Sequence, residues 1–304
     1  MTRLVQIIHP EYGRRIALVN GDELHLLSTY RTAYAFAMAA IETGQKLRDL
    51  LSTDLSGIVL DYREVYALNS GWRFLPSFDH PTDLACCLVS GCANPHGVAG
   101  DKPVAPPWFT KGNGMHLRAH GEPLTIPRFA DGEAEEAELA AVYLIGPDGV
   151  PRRVGLTPGN EFADPAMAAK DARLLSRTKL RACSIGPELA LDAEFADVAG
   201  SVAVERAVDG VRSPVWSKEI RTGEKHTAFG LEEIERRHFE FDAHRIPGDV
   251  HVHFLGGSVS SFGDGVVLEQ GDEVVIQWEG FGRPLRNPIE REQAEKRVAA
   301  VLAL

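Results

Sequence analysis

Three acidic residues dominate the chemistry this chain can offer: Glu136 and Glu138, separated only by Ala137, and Glu161 after Asn160. Side chains on a strand alternate faces, so Glu136 and Glu138 point the same way, roughly 6–7 Å apart. Two carboxylates side by side repel, and one would ordinarily take up a proton. A hard divalent cation removes that conflict, and a third carboxylate completes half a coordination shell. Mg²⁺ or Mn²⁺ leaves further positions for water and substrate oxygens, an arrangement suited to stabilising an enolate. The competing reading is a solvated acidic edge, because Asp131-Gly132-Glu133-Ala134-Glu135 runs directly into Glu136.

The surrounding chain must position these groups. It has 304 residues, 44% hydrophobic and 25% charged, as in an ordinary globular protein with room for a real core. Its net charge of −11 argues against nucleic acid or an anionic membrane surface as partners. An acidic protein that binds an acidic metabolite needs a local device, and a bound cation is one. The N-terminal residues show no signal-peptide pattern and no apolar run reaches membrane length, so a cytoplasmic location is expected. Cys86, Cys87, Cys92 and Cys183 have no C-x-x-C spacing and read as buried, reduced thiols.

Residues 3–9, 15–20 and 21–27 read as strands, Thr32 to Ala40 and Lys46 to Leu51 as helices, and 57–67 as a strand pair. Residues 1–75 thus form a small α+β domain, with linker-like composition from Leu75 to Pro81. Residues 76–304 are strand-rich and hold the acidic residues. Residues 83–90 read as a buried strand, 96–114 as a structured loop, and Leu139 to Gly146 as a core strand. Pro165 to Leu175 is helical in pattern, 198–208 and 212–221 form a hairpin around Asp209-Gly210, and Thr227 to Phe239 is an amphipathic helix. Residues 249–255 and 273–279 are strands, and Arg291 to Leu302 reads as a short tail helix.

Several other residues carry a chemical and a bland reading. Lys179 is a surface lysine or, beside a metal, a group that binds an anionic oxygen or shuttles a proton. His251 and His253 share a strand face and could ligate metal, although a packed face is the stronger reading. Gly256-Gly257-Ser258 is a plain turn or a set of backbone N–H groups open to an anion. Phe109 and Lys111 read equally as pocket walls or structural residues.

Five motifs in order give these residues a shared context. They are Glu136-Ala-Glu138-Leu-Ala; Gly155-Leu-Thr157-Pro-Gly-Asn160-Glu161; Lys179 followed by Gly186-Pro187; Pro247-Gly-Asp249 through Gly256-Gly257-Ser258; and Gly271-Asp272, Gly280-Phe-Gly282 and Asn287-Pro288. The order resembles that of the fumarylacetoacetate hydrolase superfamily over roughly residues 80–290. Pro107 to Gly112, Ser176 to Leu189 and Asp249 to Phe254 resemble its sugar-acid branch, which includes 2-keto-3-deoxy-sugar-acid dehydratases. The resemblance implies a β-rich α+β catalytic fold beside the small N-terminal domain, commonly as a homodimer. It implies Mg²⁺ or Mn²⁺ on Glu136, Glu138 and Glu161, and a 2-keto acid near Gly257, Ser258, Lys111 and Phe109. Glu161 stands where the family has aspartate.

One departure bears on the reaction. The hydrolases carry a His and a Glu three residues apart, as a water-activating dyad. His96 matches the histidine, but the partner position is Ala99, and Asp101 is the nearest acid. A base without its partner activates water poorly. The leading expectation is therefore a lyase that dehydrates a 2-keto-3-deoxy sugar acid through an enolate, with Lys179, His96 or Asp101 as unranked proton-transfer groups. The alternatives are a C–C hydrolase of a 2,4-diketo acid, using His96 with Asp101, and a non-catalytic metabolite-binding protein.

Overall fold

The computed structural model describes residues 1–96, 105–293 and 300–304. Its regular structure is mainly strand, in two sheets, with fewer and mostly short helices. The larger sheet runs in the order Leu55–Asp61, Glu23–Leu27, Gly13–Asn20, Arg3–His9, Glu188–Ala190, Pro151–Asn160, Ala137–Ile145, Val250–Phe254, Cys87–Cys92 and Trp108–Asn113. Pairing along it is antiparallel except where Val250–Phe254 meets Cys87–Cys92. The smaller sheet runs Val211–Thr222, Val198–Val208, Glu273–Trp278, Leu285–Arg291 and Leu124–Ile126. Among the described residues no helix is long and apolar enough to cross a membrane.

Ala137–Ile145 is buried at every position, which is what a strand covered on both faces requires. Ala137, Leu139, Ala141 and Tyr143 join a core with Val202, Val204, Ile276 and Trp278 of the smaller sheet. Ala140, Val142 and Leu144 face a second core with Phe36 and Ala37 of the helix Ala33–Thr43. That helix starts where the Thr32 hydroxyl accepts the Ala35 N–H, and ends at Gly44, whose φ of 68° suits glycine.

The N-terminal strands belong to the same sheet as the acidic strand, because Arg3–His9 pairs with Glu188–Ala190. The linker-like stretch before Pro81 is packed: Phe78 is fully buried, and Gln6 donates to Asp79 at 3.0 Å. The second half of the expected 57–67 strand pair is instead a helical turn, Tyr62–Tyr66, because the Asp61 carboxylate caps the Arg63 N–H. The expected 96–114 loop contains the strand Trp108–Asn113. The tail helix expected over 291–302 falls largely outside the described residues; Arg291 ends a strand, and residues 300–302 have no regular structure. The four cysteines are unpaired, three of them buried.

His251 and His253 lie on a packed face. They meet His238 and His244 from the helix Leu231–His238 and the turn after it, with Trp108 set edge-on against His238 and His244. One ring nitrogen of His238 hydrogen-bonds His251 at 3.0 Å, while His238 Nδ1, His251 Nε2 and His253 Nε2 have no partner. Burial, then repulsion from neighbouring imidazoles, holds His238 far below the usual range and His251 and His253 near about 3. These rings are therefore neutral in the fold but take protons below about pH 6.5 once unfolded. Stability is full above that pH and falls as pH drops below it, by about 2 kcal/mol per ring near pH 5. In denaturant melts near pH 7.5 and near pH 5, H253L is expected to lose about 2 kcal/mol less on acidification than the wild type. An identical loss in both proteins would show that the ring is not held neutral.

Candidate metal centre

The cross-strand ladder assembles the site. Ala137 pairs with Asn160 and Glu138 with Gly159, so Glu136 lies opposite Glu161, and the Glu161 N–H donates to the Glu136 carbonyl at 3.0 Å. Glu136 and Glu138 share a face by strand alternation, and Glu161 joins them across the ladder. One oxygen from each of the three carboxylates lies within 4.8 Å of the others. Among the described residues this is the one acidic, histidine or cysteine group of that kind.

Each carboxylate is held differently. Glu138 is buried; its Oε2 accepts the Gly256 N–H at 2.7 Å, and its carbonyl accepts the Trp278 indole N–H at 2.9 Å. Gly256 has φ of 102°, and a Cβ there would press on Asn94, so this turn needs glycine. Gly257 lies against Glu138 and Glu136, with space for a Cβ only at 3.4 Å from the Glu138 carboxylate. Ser258 is exposed beyond it. Glu161 is fully buried between two ammonium groups, Lys111 on Oε1 and Lys179 on Oε2. Glu136 has the most open side chain of the three, 28% exposed, and accepts from Lys179 at 2.8 Å.

Lys111 reaches the site through a backbone irregularity. Val89 pairs with Gly112 and Ser90 with Thr110, which leaves Lys111 as the extra residue of a β-bulge. Bulges re-aim side chains beside active sites. Here the fully buried ammonium also donates to the carbonyls of Phe162 at 2.8 Å and Lys179 at 2.9 Å. Phe109, two residues earlier, carries the Lys179 ammonium over its ring at 4.9 Å. That ring lies across Gly91, where a Cβ would come within 2.6 Å of it.

Burial and the charge of Glu161 push Glu136 up to about 7, against the pull of Lys179. Burial and both neighbouring carboxylates push Glu138 well above its usual range. Burial would raise Glu161 too, but Lys111 and Lys179 hold it below the ordinary value. Lys179 is raised despite burial, because Glu161 and Glu136 stabilise its charge. Its charged form is thereby favoured.

Of the remaining sequence candidates, His96 hydrogen-bonds to none of the three carboxylates. Its Nδ1 donates to the Asn94 carbonyl at 3.3 Å, and its Nε2 pairs with the Thr222 hydroxyl at 3.2 Å. Burial lowers its pKa. Asp101 and Ala99 lie outside the described residues.

Sequence reasoning missed how the acidic run is used. Glu133 and Glu135 are buried rather than solvated, Glu133 against Arg181 and Glu135 on the N–H and hydroxyl of Ser261. Asp164 accepts from the N–H groups of Asp131 and Gly132 and from Arg181, fixing the approach to Glu136. Its signal was legible as an aspartate before Pro165, a helix-start pattern.

The donor set fits a hard divalent ion: carboxylate oxygens only, in a pocket that favours positive charge. Neighbouring oxygens around an octahedral Mg²⁺ lie about 3 Å apart and opposite ones about 4.2 Å, so the three carboxylates would have to draw inward to close on the ion. Below about pH 7 a metal must displace the proton on Glu136, whereas above it the carboxylate is free. Mn²⁺ is therefore expected to raise the melting temperature more near pH 8 than near pH 6. An equal or reversed effect would contradict proton competition at this site.

No family model matches the chain, and no curated protein matches it significantly. Solved structures do. A 2-keto-3-deoxyarabinonate dehydratase aligns at TM-score 0.74 and 16% identity, over 96% of this chain and all of that one. A 2-keto-3-deoxy-D-arabinonate dehydratase complexed with magnesium and 2,5-dioxopentanoate aligns at 0.73 and 17%, with the same coverage. A 5-carboxymethyl-2-hydroxymuconate delta-isomerase from Mycobacterium smegmatis aligns at 0.63 and 19%, over 95% of this chain and all of that one. The chain shares the α+β fold of these enzymes over nearly its whole length.

Proposed function

We propose that the protein is a divalent-metal-dependent hydro-lyase that dehydrates a 2-keto-3-deoxy sugar acid of pentonate size. The observation that carries this reading is the Glu136, Glu138 and Glu161 cluster, with the Lys179 ammonium on two of its members. The likeness in fold to a dehydratase complexed with magnesium and 2,5-dioxopentanoate supports it. Bound Mg²⁺ or Mn²⁺ would supply Lewis-acid stabilisation of the charge that develops when a 2-keto acid loses its C3 proton. Gly257 leaves the floor beside Glu138 free of side chain, so a substrate carboxylate can approach the backbone. Lys179 places a permanent positive charge at the same floor, where it stabilises developing oxyanions and the departing hydroxyl. Loss of the C3 proton and the C4 hydroxyl releases water, and tautomerisation then gives 2,5-dioxopentanoate.

The hydrolase alternative needs His96 as a water-activating base with an acidic partner. Among the described residues its two ring nitrogens meet a carbonyl and a hydroxyl. The sequence has Ala99 where the dyad has its acid, which favours elimination over C–C hydrolysis. A homodimer in the cytoplasm is the setting we propose for the enzyme.

The test is to incubate the protein with Mg²⁺ and both stereoisomers of 2-keto-3-deoxypentonate and follow the products by proton NMR. The expected product is 2,5-dioxopentanoate. Pyruvate with glycolaldehyde would mean carbon–carbon cleavage, and turnover of a 2,4-diketo acid alone would establish the hydrolase. E136Q is expected to lose metal binding and turnover together, and full activity with unchanged metal affinity would overturn the site.

A further inference from the structure

We infer that the two buried lysines have opposite roles towards the metal: Lys111 is a fixed counter-ion of Glu161, and Lys179 is a built-in competitor for the cation's seat. This rests on reading the carboxylate cluster as a metal site. The three protons of the Lys111 ammonium are matched by three acceptors, Glu161 and the carbonyls of Phe162 and Lys179, and no part of the residue is exposed. It has no reason to move and nowhere to go. Lys179 differs at each point. Its two polar partners are Glu136 and Glu161, the carboxylates that flank the seat, and its third side rests on the face of Phe109. It sits at the end of the short helix Leu175–Lys179, and its side chain retains 11% exposure, so it has a way out.

Charge arithmetic gives the consequence. With the three carboxylates ionised, as a bound cation requires, they and the two ammonium groups sum to one net negative charge. A dication added to all five reverses the sign, so the ammonium that holds two of the metal's carboxylates opposes its entry. Displaced from those oxygens, the same ammonium becomes available to an anionic ligand. Metal and anion binding are thereby coupled through one side chain, and the coupling is reciprocal.

The opposite possibility is that Lys179 pre-organises the carboxylates and helps the metal bind. Mn²⁺ affinity distinguishes the two. It would be measured by calorimetry on the full chain for the wild type, K179M and K179Q, with thermal melting to verify folding. K179Q retains a hydrogen-bond donor without the charge. Competition predicts that both variants bind Mn²⁺ at least about tenfold more tightly than the wild type, and that oxalate, used as the anion probe, no longer strengthens Mn²⁺ binding in them. Equal or weaker Mn²⁺ binding in folded variants would overturn the inference while leaving the metal site intact. Absence of Mn²⁺ binding from the wild type and both folded variants would overturn the metal-site reading itself, and this inference with it.

Discussion

Repulsion among three enclosed carboxylates is the constraint around which this protein is arranged. Glu136, Glu138 and Glu161 bring oxygens within 4.8 Å of one another where water is largely excluded. Such a cluster is stable only if charge is removed, neutralised or spread. The fold supplies partial answers: Gly256 donates to one oxygen of Glu138, Lys179 to one of Glu136, and Lys111 and Lys179 to the two of Glu161. The compensation is uneven. Glu161 is held below its ordinary pKa, whereas Glu136 and Glu138 are pushed above theirs. The unmet charge is concentrated on the pair that the sequence places two residues apart.

The scaffold explains how so polar a site survives in a core. Ala137–Ile145 is buried on both faces, and its apolar residues anchor the two sheets to each other. The acidic end of that strand is thus fixed by packing that does not depend on the acids. Opposing strands bring Glu161 into register, and the Gly256 turn closes from the neighbouring strand Val250–Phe254. Rigid elements carry the three carboxylates, which is how precise constellations are maintained.

Much of this was legible in the sequence, because it followed from short-range periodicity. Glu136 and Glu138 share a face by strand alternation alone, and the turn glycines mark close backbone approach. What was not legible depends on long-range geometry. Lys111 read equally as a pocket wall or a structural residue; a bulge opposite Val89 and Ser90 turns it onto Glu161, and bulges leave no periodic trace. The acidic run from Asp131 looked solvated because its neutralising partners, Arg181 and Ser261, are distant in the chain. The histidine cluster was half visible: His251 and His253 share a strand face, while His238 and His244 arrive from a separate helix and turn.

The placement of His96 ties the cluster to a neighbouring turn. A histidine that offers a lone pair from one nitrogen has the N–H of the other held by an acceptor. His96 uses Nδ1 on the Asn94 carbonyl, which fixes the proton there and turns Nε2 towards the Thr222 hydroxyl. Asn94 in turn packs against Gly256, whose N–H holds Glu138. The histidine is therefore coupled to the carboxylate cluster as a brace on the turn beside it. His96 thereby shares with Glu138 the turn that closes the carboxylate cluster.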